Sequence, residues 1–161
     1  MVKLDKRLAA CAALVRSGKS VADIGTDHAL VPCWLWKNGV STDIIAADIK
    51  PGPLESARRT VQKYGADVKL VLSDGFGKLP PRDDVIIAGM GGETIAEILG
   101  GCKHKNADTR FILQPMTRQE ILRNELVRMN FEIIEEISAA CTKKTYTIIY
   151  ARYIGENYES S

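Results

Sequence analysis

Residues Val21–Pro32 read VADIGTDHALVP, a short apolar run that ends in one glycine and a polar turn and passes directly into a second apolar stretch with helical spacing. A strand that turns into a helix in this way opens nucleotide-type cofactor sites in α/β proteins. Gly25 permits a tight bend and close approach of a ligand, and the free N–H groups at the start of the next helix present a partly positive end. Only the first glycine of a G-x-G-x-x-G fingerprint is present, because Thr26, Asp27, His28 and Ala29 occupy the following places. Asp27 is unfavourable beside a pyrophosphate and acceptable beside a zwitterionic or cationic ligand. The turn therefore suits S-adenosylmethionine better than NAD or ATP.

Outward from this turn the chain alternates between strand-like and helix-like segments. Leu4, Leu8, Cys11, Leu14 and Val15 recur at helical spacing, which predicts an amphipathic first helix ending at Ser17-Gly18 and packing across a sheet edge. Strands are expected at Val21–Ile24, Ile44–Ala47, Val68–Leu72, Val85–Ala88 and Phe111–Leu113. The intervening helices are His28–Lys37, Pro53–Tyr64, Glu93–Leu99 and Arg118–Met129. Such βαβ repetition predicts a parallel, doubly wound sheet. Two β-rich runs close the pattern, Glu132–Ile137 and Tyr146–Tyr153, joined through Thr142-Lys143-Lys144, and these should pair as an antiparallel edge hairpin. The expected fold is thus a Rossmann-like α/β sheet of seven strands, an architecture shared by class I methyltransferases and by other doubly wound enzymes. Residues 1–154 form the expected cofactor-binding domain, and residues 155–161 a frayed tail.

At 161 residues and 45% hydrophobic content, one core is the default. A formal net charge of +2 neither requires nor excludes a nucleic-acid partner. Cys11, Cys33, Cys102 and Cys141 are widely spaced, with no C-x-x-C pair and no histidine cluster, so reduced thiols and no metal site are expected. No stretch has the ~18 apolar residues of a membrane span and no secretory leader opens the chain, which predicts a cytoplasmic protein.

Ligands of open α/β sheets bind beyond the carboxyl ends of the strands. The second strand ends IIAADIKPG and places Asp48 23 residues after Gly25, near the ~20-residue interval at which an acidic side chain reaches ribose hydroxyls. Ile49 would then lie against adenine. The third ends VLSDGFGKLP, where Asp74 can accept from an adenine amine and the Gly75 N–H can donate to the ring. The fourth ends AGMGGE, where Gly89, Gly91 and Gly92 admit backbone close to a ligand. Each aspartate taken alone also fits a turn or cap, but together on successive strand ends they indicate a nucleoside cofactor.

The segments ADIGTDHA, AADIKPGPLESAR, SDGFGKLP, IIAGMGGETIAEIL, LQP and KKTYTIIY resemble the bacterial tRNA adenine-N1-methyltransferases of the TrmK type, which act on adenosine 22 of the D-arm. The resemblance covers nearly the whole chain. It implies a class I fold and S-adenosylmethionine as methyl donor. It also implies a cofactor pocket lined by Asp23, Gly25, Asp48, Ile49, Asp74, Gly75, Gly89 and Met90. By the same resemblance Asp27, His28, Leu30, Pro32, Gly91, Gly92 and Pro115 face the target base. Three features depart from the family. Leu30 stands where a tyrosine is usual, Met116 follows LQP where an asparagine is usual, and the helical extension of the family does not follow the last strand.

Methyl transfer from a sulfonium needs positioning and electrostatics more than strong acid–base groups. Asp27 is the candidate to stabilise the cation that N1-methylation leaves, with His28 orienting it or accepting a proton; an N-cap is the alternative role for Asp27. Trp34 and Trp36, two apart on a helix, cannot point the same way, so one should pack and the other lie near the rim. Lys103, His104 and Lys105 are expected in a loop near the carboxyl ends of the central strands, facing tRNA. A small-molecule methyltransferase and a non-catalytic cofactor-binding module are the alternatives. No metal and no membrane partner are expected, and a monomer is favoured.

Overall fold

The computed structural model describes residues 1–155; the tail expected over 155–161 lies, apart from Gly155, outside the described residues. Among the described residues, five helices and seven strands follow in the order α1 (Lys6–Ala13), β1 (Val21–Ile24), α2 (Leu30–Lys37), β2 (Ile44–Asp48), α3 (Pro51–Tyr64), β3 (Lys69–Leu72) and β4 (Asp84–Met90). The chain continues with α4 (Gly92–Gly100), β5 (Arg110–Pro115), α5 (Gln119–Arg128), β6 (Phe131–Cys141) and β7 (Lys144–Tyr153). Every expected strand and helix is present, β1 with the expected bounds. The strands form one sheet in the order β3-β2-β1-β4-β5-β7-β6. The first five are parallel, and β7 pairs antiparallel with both β5 and β6.

Successive strand residues point to opposite faces, so alternation along each strand feeds two cores. Ala22, Ile24, Ile45, Ala47, Val85, Ile87, Phe111 and Leu113 pack with Ile95 and Leu99 of α4 and with Leu122 and Leu126 of α5. Val21, Ile44, Ala46, Ile86, Ile112 and Ile148 pack on the other face with Cys11 of α1, Cys33 and Leu35 of α2 and Ala57 of α3. α1 crosses β5, β7 and the edge strand β6. Its far end is fixed at the amino edge of the sheet, where the fully buried Asp84 carboxylate accepts from the Arg16 backbone N–H at 2.8 Å and from Nε at 2.9 Å. Both Trp34 and Trp36 are half-buried against the second core, so neither occupies the site rim.

The winding reverses between β1 and β4, whose crossovers carry helices to opposite faces. That switch point is where a doubly wound sheet opens a crevice at the carboxyl ends of its strands.

Candidate functional site

A cleft of about 1110 Å³ opens at this switch point. Gly25, at φ +74°, ends β1, and its N–H and that of Thr26 donate to the Ala47 carbonyl at 2.8 and 3.0 Å, drawing the turn over β2. A Cβ at Gly25 would stand 2.5 Å from Met90 Cε, so the turn also needs the space a glycine leaves. Asp27 and Ala29 both take the left-handed conformation at φ +55°, uncommon for residues with a side chain. The cap of α2 is Ala29, without a side-chain hydrogen bond, so Asp27 is not the N-cap. Instead the turn holds Asp27 and His28 outward at the mouth, Oδ2 and Nε2 3.8 Å apart, with side chains 69% and 60% exposed.

The walls come from three further strand ends. Asp48 Oδ1 accepts from the Lys50 N–H at 3.1 Å, leaving Oδ2 for a ligand, and beside it Ile49 presents an exposed apolar surface. Asp74 is exposed in the turn after β3, which Ser73 braces by donating its hydroxyl to the Gly75 carbonyl at 2.9 Å. Gly89 interrupts the β4–β5 register and exposes backbone at the base of the cleft. Asp23 is buried, and accepts from the Thr26 hydroxyl at 2.9 Å. Burial pushes its carboxyl up to about 7, against the pull of the Thr26 bond, with Asp48 adding to the rise and Arg7 opposing it. Among the described residues, six carboxylates line the cleft (Asp5, Asp23, Asp27, Asp48, Asp74 and Glu97), against the cations Arg7 and Lys50. The field favours a ligand that carries positive charge and hydrogen-bond donors.

The cleft brings together Asp23, Gly25, Asp27, His28, Leu30, Asp48, Ile49, Asp74, Gly75, Gly89 and Met90. Six other sequence candidates lie elsewhere. Pro32 is buried within α2 and Pro115 at the end of β5, and neither lines the cleft. Gly91 and Gly92 admit protein rather than ligand: a Cβ at Gly92 would lie 2.2 Å from the Arg118 carbonyl oxygen, and one at Gly91 3.1 Å from Thr117 Oγ1. Lys103 and Lys105, with His104, line a separate depression with Arg16 and Asp83 at the amino edge of the sheet. They follow a helix and precede a strand, and such loops lie on the side opposite the carboxyl ends. Lys105 is also engaged, donating to the Cys102 carbonyl at 2.6 Å and lying over the Tyr153 ring.

Two functional positions were not singled out from the sequence. Arg7 projects from α1 into the cleft, and its Nη1 donates to Gln114 Oε1 at 2.6 Å. The available signal was its place on the apolar stripe of α1, three residues after Leu4 and four before Cys11, where a charge needs a reason. Gln114, fully buried at the end of β5, connects Arg7 to the Gly89 backbone and to Met116. The Cys11 and Cys33 thiols are not candidates, since burial raises them to about 12 and about 11. Among the described residues no group of three or more His, Cys, Asp or Glu side chains could hold a metal, and no helix is long and apolar enough to cross a membrane.

The sheet order, the switch-point cleft and the aspartates at successive strand ends define a Rossmann-like methyltransferase fold. A methyltransferase domain model matches residues 4–149. The tRNA (adenine(22)-N(1))-methyltransferase of Bacillus subtilis is 36% identical over 93% of this chain and 65% of its own length. The crystal structure of the B. subtilis m1A22 tRNA methyltransferase TrmK superposes with a TM-score of 0.89 at 32% identity, covering 98% of this chain and 70% of that one. TrmK of M. capricolum, solved with S-adenosyl-homocysteine, gives 0.82 at 30% identity over 92% and 68%. The chain belongs to the methyltransferase-domain family and is similar to TrmK over most of its length. It spans just under two thirds of the length of the curated B. subtilis relative.

Proposed function

We propose that residues 1–154 form the catalytic unit of an S-adenosylmethionine-dependent methyltransferase that acts on N1 of adenosine 22 in the tRNA D-arm. The observation that carries this reading is the row of acceptors across one cleft, Asp74, Asp48 and Asp23 in strand order, in a chain 36% identical to an enzyme of that activity. The cofactor fits the donor set: a cleft rich in carboxylates suits a ligand with a sulfonium and an ammonium group, and Gly25 keeps the turn clear of Met90.

S-adenosylmethionine supplies an activated methyl group when bound. Asp48 accepts from the ribose hydroxyls, Ile49 packs on the adenine face, and Asp74 with the Gly75 N–H reads the adenine edge. Asp23 and the Gly25 turn bound the methionyl half. Asp27, held at the mouth by a left-handed backbone, stabilises the positive charge that develops on the target base. His28, with Nε2 3.8 Å from Asp27 Oδ2, orients that carboxylate toward the base. Leu30, at the start of α2, and Met116, just after β5, offer apolar contact to that base.

With Lys103 and Lys105 at the far end of the sheet, Lys143 and Lys144 are basic residues on the cleft's side of the sheet that suit tRNA. The β6–β7 turn that carries them lies on the carboxyl side, because β7 starts there and runs antiparallel to β5. A reducing, cytoplasmic setting fits four unpaired cysteines.

Incubation with labelled S-adenosylmethionine and unmodified bulk tRNA, followed by mass mapping of the nucleosides, tests the reading. Label in 1-methyladenosine from the D-arm is expected; label in small molecules alone, without salt-dependent tRNA binding, overturns it.

A further inference from the structure

We propose that Tyr146 is the aromatic platform on which the acceptor adenine of tRNA stacks, beside Met116, at the side of the cleft away from the cofactor's adenine. The inference rests on the tRNA reading given above.

A purine drawn out of an RNA stack needs a flat apolar surface next to the group it receives. Among the described residues the other aromatic side chains are committed. Phe111, Phe131 and Tyr153 meet edge to face inside the first core, with ring centroids 5.2 and 5.5 Å apart. Trp34, Trp36, Tyr64 and Tyr150 pack against the second core. Phe76 lines the cleft, but it follows β3, on the side assigned to the cofactor's adenine, and packs against the first core. Tyr146 packs against neither core and is half-buried, and its hydroxyl makes no hydrogen bond among the described residues.

Strand register places the ring. Leu113 of β5 pairs with Ile149 of β7, and Ile112 with Tyr150, in antiparallel sense. Carried three residues on, this register sets Tyr146 level with Met116, one residue past the end of β5. Alternation puts both on the face that holds α1, because Ile112 and Ile148 belong to the core packed against that helix. Met116 lines the cleft, and so does Arg7 of α1, whose guanidinium carbon lies 5.9 Å from the Tyr146 ring centroid. The ring therefore borders the cleft on its β5 side, with a cation behind one face. Leu30, also in the cleft lining, leaves the opposite face of a bound base without a second ring.

The hairpin itself fits an RNA partner. Lys143 and Lys144 lie at the turn into β7, three and two residues ahead of the ring, and both are exposed. One hairpin thus offers phosphate contacts and a stacking surface, the combination that holds an unpaired nucleotide. The six carboxylates of the cleft repel phosphates, so the base enters while its backbone stays on the lysines.

The test uses the full chain and an unmodified tRNA in which 2-aminopurine replaces the target adenosine, a base whose fluorescence stacking quenches. With S-adenosyl-homocysteine bound, the wild-type complex should stay dim, and Tyr146→Leu should brighten the bound tRNA. On ordinary tRNA, Tyr146→Leu should lower kcat/KM about 5- to 100-fold, while Tyr146→Phe and Tyr146→Trp stay within about threefold of wild type. Affinity for S-adenosylmethionine should not change, and neither should the slope of tRNA affinity against salt, because no phosphate contact is lost. A bright base in the wild-type complex, or wild-type kcat/KM in Tyr146→Leu, overturns the proposal. Lost cofactor affinity in that variant makes Tyr146 a support for Arg7, and a reduced salt slope makes it a phosphate contact; either result also overturns it. Should Tyr146→Leu not fold, Tyr146→Ile, suited to a strand, carries the same measurements. A wild type that binds the cofactor but transfers no methyl group to tRNA removes the tRNA reading itself.

Discussion

Replacing Asp23 by asparagine should make the fold more stable at alkaline pH while weakening cofactor binding. Asp23 is buried at the end of β1 with the Thr26 hydroxyl as its hydrogen-bond donor, and burial holds its folded pKa at about 7, against 3.8 unperturbed. The sign follows from linkage. Below about pH 4 both the folded and the unfolded chain keep the proton, and between there and pH 7 only the unfolded chain releases it. Stability from this group therefore falls as pH rises, by about 1.4 kcal/mol per pH unit, to a total near 4 kcal/mol above pH 7. Asparagine keeps an acceptor for Thr26 and cannot ionise. The stability difference between Asp23→Asn and wild type should therefore grow by about 3 kcal/mol between pH 5 and pH 8. The difference matters because Asp83, Glu125 and Glu136 act oppositely in both proteins, their pKa values lowered by hydrogen bonds from Ser20, Arg128 and Arg123. Urea denaturation at pH 5, 6.5 and 8 measures it, with calorimetric titration of S-adenosylmethionine on the same samples. A mutant–wild-type difference that stays within about 0.5 kcal/mol across this range refutes the buried, proton-retaining state. Unchanged cofactor affinity refutes the reason for retaining a carboxylate there.

Asp27→Asn should leave cofactor affinity within several-fold and lower methyl transfer at least ~100-fold, the scale of one preorganised electrostatic group; single-turnover rates near wild type would reduce Asp27 to a turn residue. Gly92→Ala should destabilise by about 2–4 kcal/mol, because its Cβ cannot share space with the Arg118 carbonyl and the Gly92 N–H bond to Thr117 must open. Gly91→Ala, which meets only the Thr117 hydroxyl, should cost under about 1 kcal/mol, and equal melting shifts for the two contradict the packing account. Leu30→Tyr, alone or with Met116→Asn, should raise the rate on tRNA without changing cofactor affinity, since a stacked base is worth ~1–3 kcal/mol on an aromatic ring. No gain in the double variant means that another surface, with Phe76 the cleft's own aromatic, carries the base.

Local signals were enough for much of this molecule. Apolar runs and helical stripes place every strand and helix to within a few residues, because the central parallel strands are buried on both faces and each helix buries the face that its own spacing defines. The Gly25 turn and the strand-end aspartates were legible for the same reason: they follow β1, β2 and β3 directly, and a parallel strand delivers its last residue to the crevice. Tertiary structure decided what depends on two distant segments meeting. Arg7 enters the cleft only because α1 crosses the sheet, 107 residues from Gln114 in sequence. Gly92 is needed because the Thr117–Arg118 backbone passes over the start of α4. Lys103 and Lys105 fall at the far end of the sheet because a loop that leaves a helix and enters a parallel strand begins at that strand's amino edge. Lys143 and Lys144 fall on the carboxyl side of the sheet because β7 runs against its neighbour β5. Sequence spacing determines which face of an element is buried; which end of the sheet a loop occupies, and which distant side chain it meets, follows from strand direction and packing.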